Sequence, residues 1–521
     1  MGTLLNILGV SFLTFISRIS GLVRDIFIFS AFGTSELNSA FLFAFSIPNL
    51  FRRLLGEGAL ASALIPIFSD EYHKKGKEEA FFLLNRVASR LILALFLIVG
   101  GGVMICGLGY VSGWFSDRWR LCFMFSAILL PYMFFACLGA LLAAVLNVFG
   151  KFLLHAGNSI WLNLAMISAL MVGYFFHESW RIYWLCAGVF VGGVIQLWVL
   201  WVGLGRMGWR FCLDWGSDGR VEEVRRLFFP GVAGASVQQV NVVISRALAY
   251  AVSSRAVSVL YLANRLIELP LGLFVTAVST VLFPRLSRLE AQGERELLRE
   301  EFRRGMDWVL VIIFPAALGI LGLDRTLLSL LFLWGNFTER DLDLVLPVLR
   351  IFLVALPFYA LSTHFLRGYH CKKNMARPMV IAAIHFLVNT FLALGLMFWL
   401  ETVGLAIANL LSIILQTILL YWGLGRLGEE FCIKIWTGRL GRIILASISM
   451  AVVVKSLDYV LGLYLRGKAH DMVSMVVNIP LGVAFYFGLL YIFDGRKQLS
   501  DLGIIWRRFV KKIKNPKRGK I

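Results

Sequence analysis

Long apolar stretches, separated by short polar turns, follow one another along almost the whole chain. A helix needs about 20 apolar residues to span the hydrocarbon core of a bilayer, and stretches of that length recur as far as residue 493. The pattern predicts fourteen transmembrane helices, near residues 4–31, 36–68, 80–110, 121–147, 156–176, 182–204, 227–251, 257–284, 306–334, 342–366, 378–400, 403–424, 442–464 and 472–493. A basic segment, 495–521, follows the last of them.

The composition fits a polytopic helical membrane protein, so the predicted fold class is all-α. Apolar residues make up 59% of the 521 residues and charged residues 16%, whereas soluble domains carry about 25% charged residues. This excludes an ordinary soluble enzyme and a disordered chain. It also excludes an outer-membrane barrel, whose strands alternate apolar and polar residues. The seven cysteines are scattered without a Cys-x-x-Cys motif, so we expect no metal or disulfide there.

Lysine and arginine are distributed unevenly between the two sides of the predicted bundle. The connections after even-numbered helices, together with the basic segment, carry 33 of them, and the connections after odd-numbered helices carry 7. Cytoplasmic connections are enriched in Lys and Arg, so the bias places both termini in the cytoplasm. It also accounts for most of the net charge of +20 without a nucleic-acid partner. Segment 495–521 either binds anionic lipid headgroups or is a solvated tail.

An internal repeat relates two parts of the chain. Residues 203–212 read GLGRMGWRFC and residues 423–432 read GLGRLGEEFC, with seven identities in ten at an offset of 220. Both segments follow an even-numbered helix, six predicted helices apart, so the two parts cross the membrane in the same direction. Parallel repeats build two-lobed transporters with a central cavity. We predict an N-lobe of helices 1–6, a C-lobe of helices 7–12, two further helices and the basic segment, with boundaries 1–212, 213–432, 433–494 and 495–521.

The candidate site consists of ionisable residues inside the first two predicted helices of each lobe. An arginine at a helix centre costs about 2.5–3.5 kcal/mol on insertion scales, so it should face water, a partner or a ligand. Arginine binds phosphate with a planar fork, and several arginines can enclose a diphosphate. Six arginines stand against three acidic residues, and this surplus predicts a cationic cavity for an anion: Arg18, Arg24, Arg52, Arg53, Arg246 and Arg265, with Asp25, Glu57 and Glu268.

Spacing along the helix predicts that some of these charges pair locally. Arg53 and Glu57 are four residues apart and Arg265 and Glu268 are three apart. Each pair therefore lies on one helix face. One alternative is that all the interior charges form salt bridges that hold helices together. The surplus of positive charge argues against it, because an arginine without a carboxylate needs another partner.

Irregular helix is predicted close to these charges. Arg24 and Asp25 are adjacent, and neighbouring residues on a helix do not face each other, so we expect no simple ion pair between them. Helix-breaking residues interrupt the second and eighth predicted helices and would expose backbone N–H groups toward a cavity; they are Pro48, Gly56, Gly58 and Pro270.

Weaker patterns lie in the second half of the chain. His385 and Asn389, four residues apart, could line a cation site, although a hydrogen-bonded interior pair is the simpler interpretation. Lys455 and Asp458, three residues apart, are predicted to neutralise each other. The sequence contains no Walker A, GxSxG or HExxH motif, so we predict no catalytic residue.

Several stretches resemble the MurJ (MviN) family of lipid II flippases, within the multidrug/oligosaccharidyl-lipid/polysaccharide exporter superfamily. The resemblance runs nearly from end to end and includes the count of fourteen helices. Its most specific block is AFSIPNLFRRLLGEGALASALIPIFSDEY at 44–72. The other stretches are SRISGLVRD (17–25), LNVFGKF (146–152), YLANRLIELPLGLF (261–274) and WGNFTERD (334–341).

The resemblance implies a transporter of the bacterial cytoplasmic membrane and not an enzyme. Its cargo would be lipid II, an undecaprenyl-diphosphate-linked disaccharide-pentapeptide, carried from the inner to the outer leaflet by alternating access for cell-wall synthesis. Helices 13 and 14 would form a groove for the polyprenyl tail. The family's cavity residues correspond to arginines that would hold the diphosphate and to acidic residues that would orient or release them: Arg24, Arg52 and Arg265, supported by Arg18 and Arg53, with Asp25, Glu57 and Glu268.

The chain departs from the family at Ser39 and Asn264, where many members carry Asp. Some members hold a sodium ion in the second lobe with acidic and amide side chains, and here His385 and Asn389 occupy that region. No cofactor is expected, and a coupling cation or the membrane potential is the expected energy source. The alternatives are an exporter of another polyprenyl-linked oligosaccharide or of drugs, a membrane glycosyltransferase or polymerase acting on the same lipid, and a membrane scaffold.

Overall fold

The computed structural model describes residues 2–216, 218–432 and 438–494, so the basic segment 495–521 lies outside the described residues. These residues form helices joined by short turns, which confirms the predicted all-α class. The described α-helices are α1 (Gly2–Phe32), α2 (Glu36–Phe51), α3 (Ala61–Lys75), α4 (Lys77–Val111), α5 (Asp117–Leu129), α6 (Tyr132–Val148), α7 (Phe152–Gly173), α8 (Arg181–Gly205), α9 (Gly219–Val252), α10 (Ala256–Pro270), α11 (Thr276–Gln292), α12 (Arg295–Gly322), α13 (Asp324–Phe332), α14 (Glu339–Cys371), α15 (Ala376–Gly425), α16 (Gly438–Tyr464) and α17 (Gly467–Asp494).

Nine helices in the described part of the chain are long and apolar enough to cross a membrane: α4, α7, α8, α10, α12, α14, α15, α16 and α17, with α8 and α10 counted together with the turns that adjoin them. α5 and α6 meet the same criterion together, as one span bent by 44°. Within α15, Glu401 has a φ of 46°. The chain therefore turns there, between the eleventh and twelfth predicted helices.

The first, second and seventh predicted helices coincide with α1, with α2 plus α3, and with α9. α1 and α9 contain 31 and 34 residues, enough to cross a bilayer at about 1.5 Å per residue. α1 and α9 carry three arginines of the candidate set, Arg18, Arg24 and Arg246. The total of fourteen transmembrane helices stays a prediction.

Two π-helical turns interrupt the regular helix close to the interior charges. Arg52–Leu60 joins α2 to α3, and Leu271–Val275 joins α10 to α11, 219 residues further on and close to the offset of the sequence repeat. Pro48 precedes the first turn and Pro270 the second, and a proline removes one backbone donor from the helix interior. The predicted irregular helix is confirmed, and such π-helical turns are frequent at functional sites.

The helices pack into two compact units. The first unit contains Gly2–Ser258 and Trp334–Thr338, and the second contains Val259–Leu333 and the described residues from Glu339 onward. α9 belongs to the first unit because it packs on α2, on α3 and on the π-helical turn between them. The predicted lobe boundary after residue 212 differs, since it places α9 in the second lobe; that division stays a prediction.

Small residues bring α7 and α8 together in the first unit. A Cβ added to Gly188 of α8 would lie 2.6 Å from Ala169 Cβ of α7, and one added to Gly192 would lie 2.8 Å from Leu162 Cδ1. Small side chains let helices approach closely in a bilayer, where packing and not the hydrophobic effect drives helix association. α7 also packs on α1, and that contact positions the candidate site.

Each unit has its own apolar core. In the first unit α3, α4 and α6 meet around Leu64, Phe68, Leu84 and Leu141, which are all fully buried. In the second unit α12, α14, α15 and α16 meet around a similar cluster formed by Phe302, Phe365, Leu420 and Ile443.

Candidate functional site

Arg24 lies in an ion pair with the residue that follows it. Its Nη2 is 2.7 Å from Asp25 Oδ1 and its Nε donates to the same oxygen at 3.1 Å. The Arg24 side chain is 11% exposed and the Asp25 side chain is fully buried. The expectation that these adjacent residues do not pair is wrong, because the long arginine side chain folds back along the helix to its neighbour.

Asn163 of α7 fixes this part of α1. Its Oδ1 accepts a hydrogen bond from Arg24 Nη1 at 3.1 Å, and its Nδ2 donates to Ser20 Oγ at 2.9 Å and to the Ser17 carbonyl at 3.3 Å. One buried amide therefore holds both the backbone of α1 and the guanidinium. Asn163 was not among the predicted site residues, although an amide in the middle of an apolar helix is a signal in itself.

Arg18 and Arg53 differ from Arg24 in their surroundings. Arg18 is half-buried on α1, and Arg53 is exposed on the π-helical turn Arg52–Leu60. Within the described ranges neither side chain forms a hydrogen bond or an ion pair. The Glu57 side chain lies outside the described residues, so the predicted Arg53–Glu57 pair stays a prediction.

Two further arginines complete the first unit's share of the site. Arg52 is half-buried at the start of the same π-helical turn. Arg246 of α9 donates through Nη1 to the Leu42 carbonyl of α2 at 3.3 Å. Five arginines in this unit stand against two acidic residues of the candidate set, Asp25 and Glu57, so the surplus of positive charge persists in the folded chain.

The second unit carries the predicted pair on α10. Arg265 Nη1 is 3.4 Å from Glu268 Oε2, and Asn264 Nδ2 donates to Glu268 Oε1 at 2.9 Å. The spacing-based prediction of this pair is confirmed. The Arg265 side chain is 22% exposed and that of Glu268 is 49% exposed, which fits a pair that faces water. The Asn264 amide therefore helps to hold this carboxylate in place.

At the cation site suggested by His385 and Asn389, amides and hydroxyls form hydrogen bonds, while His385 Nδ1 is buried without a hydrogen bond in the described part of the chain. Ser412 Oγ donates to the buried Asn389 Oδ1 at 3.4 Å, and Tyr359 donates to Asn409. Among the described residues, no group of three or more His, Cys, Asp or Glu side chains could hold a metal ion. A coupling-cation site at this place stays a prediction.

The fold places the protein in a class. A solved structure described as the inward-facing conformation of a multidrug resistance MATE family transporter of the MOP superfamily matches with a TM-score of 0.62 at 13% identity, over 80% of this chain and 95% of that one. The structure of a "lipid II flippase MurJ, inward closed conformation" matches with a TM-score of 0.77 at 23% identity, over 93% of this chain and 98% of that one. The chain therefore has the same helical fold as these two structures.

Sequence comparison gives the family. The model of the family described as lipid II flippase MurJ matches residues 28–478. The probable lipid II flippase MurJ of Vibrio cholerae is 30% identical over 514 residues, which cover 95% of this chain and 96% of that protein. The chain belongs to the lipid II flippase MurJ family, a family of multi-pass membrane transporters, and the resemblance found in its motifs is confirmed.

Proposed function

We propose that this protein carries lipid II from the inner to the outer leaflet of the bacterial cytoplasmic membrane. The observation that carries the proposal is an excess of arginine inside the membrane, in a chain that matches the flippase family over residues 28–478. Arg18 forms no ion pair within the described residues, so its guanidinium group is available to an anionic cargo. The protein makes and breaks no covalent bond and is therefore a transporter and not an enzyme.

The diphosphate is the part of the cargo that these arginines would hold. Guanidinium groups bind phosphate oxygens through two parallel hydrogen bonds, and Arg18 and Arg53 present such forks. Arg24 and Arg52 in the first unit and Arg265 in the second would add to them. Two negative charges on a diphosphate match the surplus of positive charge better than a neutral or cationic drug would.

The acidic residues act as competitors for the arginines in this proposal. Asp25 Oδ1 holds Arg24 through two of the three guanidinium nitrogens, so a phosphate competes with the carboxylate for that edge of the guanidinium. Glu268 holds Arg265 less tightly, with a contact of 3.4 Å. Return of each carboxylate to its arginine would help to release the cargo. Glu57 would act in the same way on the neighbouring arginines.

The remaining architecture follows the family. Fourteen transmembrane helices form two six-helix lobes around a central cationic cavity, with both termini in the cytoplasm, and the lobes expose the cavity to each side in turn. α16 and α17 form a groove for the polyprenyl tail, and segment 495–521, outside the described residues, binds anionic lipids. The transporter needs no cofactor. Each charge that crosses the field is worth about 2.3 kcal/mol per 100 mV, so the membrane potential or a coupling cation can reset the cavity.

The test is a leaflet-accessibility assay for lipid II in cells depleted of their own flippase. Cells that produce this protein should display lipid II in the outer leaflet and grow, whereas Arg18→Ala and Arg53→Ala should reduce both. Arg226→Ala is the matched control, because that arginine is 80% exposed outside the apolar stretches. Normal lipid II display with both interior variants would remove their proposed role.

The second candidate function is export of another polyprenyl-linked oligosaccharide. The same arginines favour it, since they would recognise any diphosphate linker. Purified protein in liposomes distinguishes the two, because a lipid II flippase should move lipid II faster than a polyprenyl-diphosphate carrying a different sugar. Equal rates for both lipids would favour the broader function.

A further inference from the structure

A buried polar cluster joins three helices of the second unit, outside the candidate site. It lies at the first turns of α17, the end of that helix opposite the basic segment. α13 contributes two hydroxyls, α16 a carboxylate, and α17 an imidazole, a carboxylate, a hydroxyl and an amide: Thr326, Ser329, Asp458, His470, Asp471, Ser474 and Asn478.

Asp458 of α16 receives donors from both neighbouring helices. Thr326 Oγ1 lies 3.0 Å from each of its carboxylate oxygens, and Ser474 Oγ donates to Oδ1. Asn478 Nδ2 supports Ser474 Oγ at 2.8 Å, and both of these side chains are fully buried. The predicted Lys455–Asp458 pair is therefore wrong: the carboxylate faces α13 and α17, and Lys455 is exposed.

Asp471 forms the second half of the cluster. Ser329 Oγ of α13 donates to its Oδ2 at 2.5 Å, and Lys468 Nζ donates to the backbone carbonyl of the same serine. The Asp471 side chain is only 9% exposed. A carboxylate this far from water depends on its donors, because an unsatisfied buried charge is strongly unfavourable.

His470 stands between the two carboxylates, and both of its ring nitrogens face acceptors. Nε2 lies 3.0 Å from the Asp458 carbonyl oxygen and 3.5 Å from Asp458 Oδ1, while Nδ1 lies 3.3 Å from Asp471 Oδ1. A neutral imidazole donates from one nitrogen only, whereas an imidazolium donates from both. The charged form satisfies every contact, and the neutral form would place a lone pair against an oxygen.

We propose that His470 is a proton-binding site that fastens α16 and α17 to each other in its charged form, with α13 held through the two carboxylates. The proton comes from water at this end of the helices, which the 16% exposure of the imidazole allows. Loss of the proton removes one of the two contacts and loosens the three helix ends. In the orientation proposed above, this end faces the outside of the cell.

The charges around the imidazole favour a proton there. Asp458 and Asp471 face it with negative charge, and Lys468, two residues before it in the sequence, brings a positive charge. The last turns of α12, residues 316–322, carry no ionisable residue. In the first turn of α13, Asp324 pairs with Arg350, and Arg325 pairs with Glu339 and Asp343, so this group has one more acidic than basic residue.

Thermal unfolding of the purified protein as a function of pH tests the proposal without any cargo, so its outcome is independent of the proposed function. The midpoint of the wild-type chain should fall by about 2 °C or more between about pH 5.5 and about pH 8, as imidazole loses its proton. The His470→Gln side chain keeps hydrogen-bonding groups but cannot become charged. The unfolding midpoint of this variant should therefore not show this fall with rising pH. His177→Gln is the matched control, because His177 is exposed and contacts only Ser179 among the described residues. Equal pH dependence in His470→Gln and wild type would overturn the proposal.

A second measurement covers the case in which His470→Gln does not fold. Imidazole NMR signals of histidine-labelled wild-type protein report the protonation of each of the seven histidines directly. One ring should remain doubly protonated at a pH where exposed rings are neutral, and Asp471→Asn should shift its titration to lower pH. If every ring titrates like an exposed histidine, the proposal is wrong.

Discussion

Arg24 Nη1 donates a hydrogen bond to Asn163 Oδ1 at 3.1 Å, across 139 residues of sequence. The bond joins α1 to α7, and the same amide also holds the Ser17 carbonyl and Ser20 Oγ. Arg24 is therefore held by an amide of α7 as well as by the Asp25 carboxylate. Its guanidinium is oriented by an uncharged group that does not compete for the positive charge, and Asp25 is a charged partner with which a diphosphate would compete.

Asn163→Ala should impair transport more than it impairs folding. Interhelical hydrogen bonds in membranes are worth about 0.6 kcal/mol on average, so the protein should still insert and remain folded. The Arg24 guanidinium, however, loses the acceptor that orients it, and we expect lipid II transport to fall by about tenfold, which corresponds to about 1.4 kcal/mol. The rate of lipid II transfer in liposomes, normalised to folded protein, measures the effect.

Asn158→Ala is the control for that substitution. Asn158 lies on the same helix, five residues earlier, and within the described residues its side chain forms no hydrogen bond. Its removal should leave the transfer rate close to that of the wild type. If both variants lose transport equally, the effect belongs to α7 as a whole and not to the contact with Arg24.

Asp25→Asn should separate cargo binding from cargo release. The amide keeps the shape of the side chain but removes the charge that holds Arg24 at 2.7 Å. We expect tighter binding of lipid II, because the phosphate no longer competes with a carboxylate, and slower turnover, because nothing displaces the phosphate. Asp117→Asn, at a side chain that is 98% exposed, is the control. Weaker binding in Asp25→Asn would show that the carboxylate positions Arg24 for the cargo and does not compete with it.

Residue spacing in the sequence predicted the features within one helix, such as ion pairs and irregular turns, better than the contacts between helices. The Arg265–Glu268 pair and the irregular turns near Pro48 and Pro270 follow from local geometry and were confirmed. The Arg24–Asp25 pair was missed because face-sharing rules compare Cβ directions, whereas a long arginine side chain can fold back to an adjacent residue.

Contacts between helices depend on how each helix is rotated about its axis, which spacing does not report. Asn163 reaches Arg24 only because α7 packs on α1. Asp458 turns to hydroxyls on α13 and α17 and not to Lys455 on its own helix. Isolated polar residues in apolar helices were visible in the sequence, but their partners were not.

Gly335→Ala should release the segment Trp334–Thr338 from α1. Gly335 has a φ of +56°, and an added Cβ would lie 2.5 Å from the Ser30 carbonyl oxygen. The next residue, Asn336, donates its backbone N–H to that carbonyl at 2.8 Å. Strain and collision together should cost about 2 kcal/mol or more. Hydrogen exchange at the Asn336 amide should become faster by at least about tenfold, which mass spectrometry can measure.

Gly113→Ala separates the strain from the collision. Gly113 also has a positive φ, +69°, but nothing lies within 4 Å of an added Cβ. The Gly113→Ala substitution should destabilise its own turn modestly and leave hydrogen exchange at the Asn336 amide unchanged. Unchanged exchange in Gly335→Ala as well would mean that the segment shifts without losing its contact with Ser30.

Lys372 holds two carboxylates at the end of α14. Its Nζ is 2.8 Å from Glu290 Oε1 and 2.5 Å from Glu430 Oε1, and the Glu430 side chain is only 5% exposed. Glu430 belongs to the second copy of the sequence repeat, so this contact anchors the segment that follows α15. Burial alone would raise the pKa of Glu430, but the hydrogen bond from Lys372 and nearby positive charge outweigh it, and the pKa lies below the usual value for Glu.

Lys372→Met should reverse the pH dependence of stability at this contact. In the wild type the pair contributes stability above the pKa of an unfolded Glu, about 4.3, and loses it as the pH falls through the lower pKa of folded Glu430. In Lys372→Met the buried carboxylate has lost its lysine, so unfolding at about pH 7 should become easier by about 2 kcal/mol, and acid should restore stability by protonating Glu430. Thermal unfolding at about pH 7 and about pH 3.5, which lies below the pKa of an unfolded Glu, measures both effects. Lys74→Met, which breaks an exposed pair with Asp70, is the control and should change stability little at either pH. If the Lys372→Met protein loses stability in acid as the wild type does, Glu430 has found another cation.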